Sequence, residues 1–299
     1  MSRSGTAVVE RVVTATVEPQ TDTPQIIADS PTVSRSPQLF ADMILIPAGE
    51  FIMGSTQAQV DAAFKMCKKS YGNDCKKEWF EAEMPQHMVN LGEYFIDQYE
   101  VINAQYAECV KAGKCTAPSN KSSNTVSDYY ENVKYANYPV IYVDWNQAKN
   151  YCEYVGKRLP TEAEWEKAAR GRGGRIYAWG NEFDGRNLNF CDKNCPFDWA
   201  DKGVDDGYAD TSPVGSYELG QSVYGVYDMS GNVWEWTSSD YKGYPYIAND
   251  GREGLLGNTN KVLRGGSWGI ADVTRVSSRG DDNPSYSDYG LGFRCLRSP

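Results

Sequence analysis

Arg264-Gly265-Gly266-Ser267-Trp268 and Gly292-Phe293-Arg294-Cys295 bracket the last part of the chain. Between them, residues 269–291 read Gly-Ile-Ala-Asp-Val-Thr-Arg-Val-Ser-Ser-Arg-Gly-Asp-Asp-Asn-Pro-Ser-Tyr-Ser-Asp-Tyr-Gly-Leu, with no Cys, His, Lys or Glu. The stretch has no thiolate, imidazole or amine with which to do nucleophilic or redox chemistry. What it does have is the palette of an adaptable binding surface: Tyr for contact area, and Ser, Gly and Asn for hydrogen bonding. Such loops carry recognition when a rigid scaffold frames them.

Composition points to that kind of scaffold. The chain has 299 residues, enough for one large domain or two small ones with a sizeable core. It contains 8 Trp, 21 Tyr and 28 Gly, with few Leu or Ala runs, which favours an irregular α+β domain with long loops over a bundle or a doubly wound sheet. A formal charge of −10 counts against non-specific nucleic-acid binding, which needs a basic face. The acids are either solvated surface or, in part, cation ligands. No apolar run reaches the length of a membrane span, and no basic-then-apolar signal peptide is visible. Residues 1–40, rich in Ser, Thr, Pro and Val, read as a disordered tail or linker, and 41–299 as the folded domain.

The chain has eight cysteines. Cys67 and Cys75, Cys109 and Cys115, and Cys191 and Cys195 flank short polar loops, the arrangement of local disulfides, which leaves Cys152 to pair with Cys295. The alternative is a thiolate metal site, but no Cys-x-x-Cys occurs and His87 is the single histidine. Disulfides imply an oxidising, extracytoplasmic location.

Local patterns place the elements. Met43–Pro47 and Phe51–Met53 flank Ala-Gly-Glu and predict a hairpin. Helical spacing runs from Gln57 to Ser70, strands follow at His87–Leu91 and Tyr94–Tyr99, and Asn103 is expected to cap a helix carrying Tyr106 and Cys109. Trp145 to Val155 has helical spacing. Thr161-Glu-Ala-Glu164 is a capping box, with Gly171 ending its helix. Residues 173–216 are nearly all loop, a length that is functional or pinned; the Cys191–Cys195 bridge and a bound metal are the expected pins.

Several motifs together resemble the formylglycine-generating enzyme family. They include Ile46-Pro47-Ala-Gly-Glu-Phe51-Ile-Met-Gly54-Ser55, Glu83-Met-Pro85-Gln-His87, Gly156-Lys-Arg158-Leu-Pro160-Thr161-Glu162-Ala-Glu164-Trp165-Glu166, Trp179-Gly180-Asn181, residues 225–236 and the two terminal frames. The resemblance covers about residues 42–297 and implies the family's variant of the C-type lectin-like fold. Function does not follow from fold. In catalytic members, two cysteines after the Arg-Gly-Gly-Ser frame bind copper(I) and oxidise a substrate cysteine with oxygen. Their places fall at Ile270 and Arg275, which offer copper(I) none of the soft ligands it needs. The related iron sulfoxide synthases need a histidine cluster, whereas His87 reads as a structural hydrogen-bonding residue near a strand start.

Calcium is different, because its hard oxygen ligands survive. The resemblance implies two structural calcium sites. One would use the side chains of Asn189 and Asp206 with the carbonyls of Phe190 and Tyr208. The other would use the side chains of Asp228 and Glu235 with the carbonyls of Gly231 and Val233. The bland reading is a turn at 205–207 and a core strand at 232–236.

Every residue of 269–291 can be reached from an Asn codon by changing adenines alone, and Lys, Glu, Gln, Trp and Met, which cannot, are absent. In this the segment resembles the variable region of retroelement-diversified proteins, many built on a lectin-like fold. A family simply rich in Asn, Asp and Ser here is the equal alternative. Candidate contact residues are Ile270, Asp272, Ser277, Asp281, Asp282, Tyr286, Asp288 and Tyr289, with Arg279, Pro284 and Phe293 as frame. The expectation is a non-catalytic, calcium-stabilised binder of a protein, peptide or glycan. The alternatives are a thiol-oxidising enzyme, if Cys191 or Cys195 reaches the site, and an adaptor module of a larger signalling system. No Glu-Pro-Asn or Gln-Pro-Asp sugar motif is present.

Overall fold

In the computed structural model, residues 42–254, 259–270 and 273–299 are described. The expected tail, residues 1–40, and Asp272 lie outside them. The fold is α+β: among the described residues, nine short strands and five α-helices are joined by long loops.

The strands form three small sheets. Strand β1 (Met43–Ile46) pairs antiparallel with β4 (Tyr94–Asp97), which also pairs with β9 (Leu296–Arg297). Strand β2 (Gly49–Met53) pairs with β3 (His87–Leu91) in a separate sheet. The expected hairpin of β1 with β2 is therefore absent. Both strands are apolar and close in sequence, but Gly49 at φ 129° redirects the chain, and each strand finds its partner far downstream, β1 at Tyr94–Asp97 and β2 at His87–Leu91. The third sheet runs β7 (Gly280–Asp282), β6 (Lys261–Arg264), β5 (Trp234–Asp240), β8 (Leu291–Gly292), with β5 and β8 parallel. This sheet carries both terminal frames.

The helices follow their caps. Helix α1 (Gln57–Tyr71) starts at a Thr56–Gln59 capping box, and α2 (Glu78–Glu81) is a single turn. In α3 (Asn103–Lys111) the cap differs from expectation: Ile102 is the boundary residue, its amide donates to Gln105 Oε1, and the buried Asn103 donates to the Tyr135 carbonyl. Helix α4 (Trp145–Tyr154) is capped by Asp144, and α5 (Glu162–Arg170) by the Thr161–Glu164 box, ending at Gly171 with φ 69°.

All four expected disulfides are formed. Cys152–Cys295 joins α4 to the chain end across 143 residues, inside a core of Tyr106, Trp145, Tyr151, Trp236 and Phe293. A second core gathers Ile46, Ile96, Trp165, Val226, Met229 and Val276. Among the described residues, no helix is long and apolar enough to cross a membrane.

Candidate functional site

Arg264, in the first terminal frame, organises the segment that comes after it. It is buried, ion-paired to Glu166, and donates to the carbonyls of Val276, Ser277 and Ser278. Gly266, at φ 75°, lets the returning chain approach closely; an added Cβ would sit 2.6 Å from the Val273 carbonyl oxygen. The second frame is fastened by Arg294, whose guanidinium grips both oxygens of Glu235 at 2.6 and 2.7 Å.

These clamps divide the segment into two unlike halves. Residues 274–279 are buried. Arg275 forms a bidentate pair with Glu83 at 2.6 and 2.7 Å, with its guanidinium 5.3 Å from the Phe80 ring centre. Arg279 does the same with Glu162 at 2.6 and 3.1 Å, and lies over Tyr244. Burial pushes both carboxyls up, but the charges of Arg275 on Glu83, and of Arg279 and Arg264 on Glu162, outweigh it and hold both below the usual glutamate value. Ser277 is also buried, hydrogen-bonded to Ser55 at 2.9 Å, which removes it from the expected contact face. Its small polar side chain resembles a surface residue in sequence, but the Arg264 clamp draws its backbone inward.

From Gly280 the chain returns to the surface, and here the expected contact residues gather. Asp281 is exposed on β7, Asp282 is half-buried, Tyr286 is 42% exposed, and Asp288 and Tyr289 are half-buried. Pro284 and Phe293 are buried, as frame residues should be. Ile270, Asp282, Tyr286, Asp288 and Tyr289 line a cavity of about 260 Å³. It adjoins a larger one of about 560 Å³ through shared walls at Trp199, Trp234 and Ile270. Arg275 lines that larger cavity with Ile270, so both residues border the groove.

The far wall of the groove was not expected from the sequence. Trp79 and Phe80 of α2, with Trp199, Trp234 and Tyr241, line the larger cavity. A signal existed: Trp79-Phe80 within a charged stretch, and Phe197-x-Trp199 within a polar loop, are large apolar side chains in otherwise polar surroundings. Cys191 and Cys195 are bonded to each other and pack against Trp268. His87 opens β3, with Nδ1 2.7 Å from the Pro85 carbonyl and Nε2 accepting from the Tyr246 amide at 2.8 Å, so it bridges two loops.

The candidate calcium ligands are oxygen-rich. Asn189 Oδ1 is buried without a partner, while its Nδ2 donates to the Asp210 carbonyl and to Asn232. Asp206 accepts from the amides of Phe190 and Tyr208 at 3.0 and 2.9 Å, and its own amide donates to Asp192. Burial, opposed by those two amides and reinforced by Asp192, pushes the Asp206 carboxyl up to about 7. At the other position, Asp228 is pushed up to about 6 by burial, with the Gly215 amide opposing. Glu235 is held by Arg294 and by Trp165 Nε1, and Glu100 is buried nearby, held well above its ordinary value by burial and by the charges of Asp228 and Glu235. Among the described residues, no three acid, histidine or cysteine side chains converge as a metal cluster.

The sulfatase-modifying factor enzyme 1-like domain matches residues 29–299. The chain belongs to that family. It is 32% identical over 314 residues to the formylglycine-generating enzyme of Streptomyces coelicolor, covering 90% of this chain and 93% of that one. It is 41% identical over 165 residues to the inactive Cα-formylglycine-generating enzyme 2 of Bos taurus, covering 53% of this chain but 50% of the relative, so the match spans about half of that protein. In fold it is similar to PvdO from Pseudomonas aeruginosa, with TM-score 0.62 and 24% identity over 88% of this chain and 96% of that one. It is also similar to Treponema denticola variable protein 1, with TM-score 0.60 and 21% identity over 86% and 95%. This family member thus keeps both frames and places Ile270 and Arg275 between them.

Proposed function

We propose that this domain is a non-catalytic, calcium-stabilised ligand-binding protein that uses the groove beside residues 280–289. The observation that carries the reading is the absence of any cysteine from residues 269–294, which leaves copper(I) without a soft thiolate donor after the Arg-Gly-Gly-Ser frame. All eight cysteines are in disulfides, so none is left over as a displaced ligand. The bridges also support an oxidising, extracytoplasmic setting.

Calcium suits the long loop at 173–216. Asn189 Oδ1 and the Asp206 carboxylate, with the carbonyls of Phe190 and Tyr208, would hold one ion, and the orphaned buried oxygen is the feature that fits it. Asp228 and the carbonyls of Gly231 and Val233 would hold a second, with Glu235 contributing alongside its bond to Arg294. The bound ions would offset buried negative charge and pin the loop.

The deciding experiment is a copper(I) titration followed by oxygen uptake with a cysteine-containing peptide. We expect no tight copper site and no oxygen consumption. Turnover would overturn the reading and restore the oxidase assignment. Retroelement diversification is a second reading, favoured by the adenine-reachable composition of 269–291. It requires variation among copies at 281–289 with 274–279 unchanged.

A further inference from the structure

A third cavity, of about 210 Å³, shares no lining residue with the two cavities of the groove. Trp145, Lys149 and Glu153 reach it from one face of α4, Leu159 from the connection to α5, and Ser238 and Glu253 from β5 and the loop after it. The charges around it do not balance. Lys149 pairs with Glu153 at 2.8 Å, and Arg158 grips Glu164 at 2.7 and 2.8 Å. Lys261, whose nitrogen lies 4.4 Å from the Trp145 ring centre, is paired with Asp240 at 2.5 Å. Glu253 is the acid left over: among the described residues it takes part in no ion pair. Its carboxylate is held by hydroxyls instead. Ser239 Oγ lies 2.8 and 2.9 Å from its two oxygens, Tyr246 donates to it at 2.8 Å, and Ser238 donates at 3.3 Å. Burial raises this carboxyl above its ordinary value against those hydroxyls, and the charge of Glu164 adds to the rise.

We propose that this cavity binds a small primary ammonium compound with a short aliphatic body, its nitrogen paired to Glu253 and its carbons against Trp145 and Leu159. The hydroxyls fix the carboxylate in place but do not neutralise it, so a cation still gains the full charge interaction. An ammonium group is a compact charge with three donors, and a partly desolvated carboxylate binds it more strongly than one in open water. The buried Trp145 and Leu159 supply apolar contact for the rest of the molecule. An anion is disfavoured, because it would have to displace Glu153 from Lys149 or Glu164 from Arg158. The size argues for a small molecule, since pockets for drug-sized ligands begin at roughly 300 Å³.

This site stands apart from the groove, and its test does not depend on the binding reading above. n-Butylamine, 1-butanol and butyrate are titrated into the full chain at neutral pH, with binding followed by saturation-transfer NMR. The same titrations are run on Glu253→Gln, Lys149→Gln and, in the groove, Asp281→Ser. We expect the amine to bind about tenfold more tightly than the alcohol, and butyrate to bind least. Glu253→Gln keeps an oxygen for the hydroxyls but removes the charge, and should abolish the preference for amine over alcohol. Lys149→Gln removes a like charge and frees Glu153, so it should tighten amine binding about two- to threefold. Asp281→Ser should change nothing. An alcohol that binds as well as the amine, a preference that survives Glu253→Gln, or butyrate as the tightest ligand would each overturn the assignment. Loss of amine binding in Asp281→Ser would move the amine to the groove and overturn it too. Should Glu253→Gln fail to fold, the exposed rim variant decides: no gain, or a loss, in Lys149→Gln refutes the site.

Discussion

Residues 274–279 and 280–289 are neighbours in one short segment, with similar polar sequences and opposite fates. The first half is core: Val276 packs against Trp165, and Arg275 and Arg279 are buried with carboxylate partners. The second half lies at the surface, its acids bonded to neutral donors and its tyrosines lining a groove. The difference shows that a family frame need not present everything between its two ends. Arg264 holds the first half by three carbonyls, and the residues from Gly280 onward return to the surface.

The largest way to break this contrast is Arg275→Ala. It strands the Glu83 carboxylate in the core and should cost about 3–5 kcal/mol, read from urea unfolding. Glu83→Gln/Arg275→Met should recover much of that loss. A destabilisation below about 1 kcal/mol in the single variant would mean that the first half is not core. Chelation tests the pinned loop. If calcium is present at about a hundred times its dissociation constant, removing it should cost about 2.7 kcal/mol, or roughly 5–10 °C in Tm for a domain of this size. Asp206→Asn should abolish most of the calcium dependence, and an unchanged Tm in chelator would refute the ions.

Acid sharpens the comparison further. Glu83 and Glu162 lie below the unfolded glutamate value of about 4.3, so their stabilisation is complete above it and fades as pH falls through the folded values. Unfolding midpoints should therefore drop on acidification below about pH 4, and Glu162→Gln/Arg279→Met should flatten that drop. The smallest effect belongs to the exposed half. Asp281→Ser and Tyr286→Ser should change stability by no more than about 0.5 kcal/mol, while Tyr286→Ser alters ligand affinity. A core-sized loss at either would erase the distinction between the halves.

Much of the local structure is legible in the residues alone. Thr161 and Glu164 form the capping box, Gly171 ends the helix, and Asp144 starts the preceding one, because these signals act within four residues. The local cysteine pairs follow from short spacing in the same way. The hairpin expected at β1 and β2 does not form, since two apolar strands flanking a glycine say nothing about partners as distant as Tyr94–Asp97 and His87–Leu91. The misplacement of Ser277 has the same cause, because three long-range bonds from Arg264 bury a residue whose own chemistry suits solvent. The groove's far wall at Trp79 and Phe80 comes from a segment nearly two hundred residues upstream.

Residue identity and spacings of a few residues were enough to settle the family frames, the local caps and bridges, and the absence of cysteine from residues 269–291. Tertiary structure decided which half of the terminal segment faces solvent, where Arg275 finds its carboxylate, and which aromatic rings meet to form the groove. Those outcomes depend on contacts between distant segments, and burial rewards or forbids a polar side chain according to the partner that the whole fold brings to it.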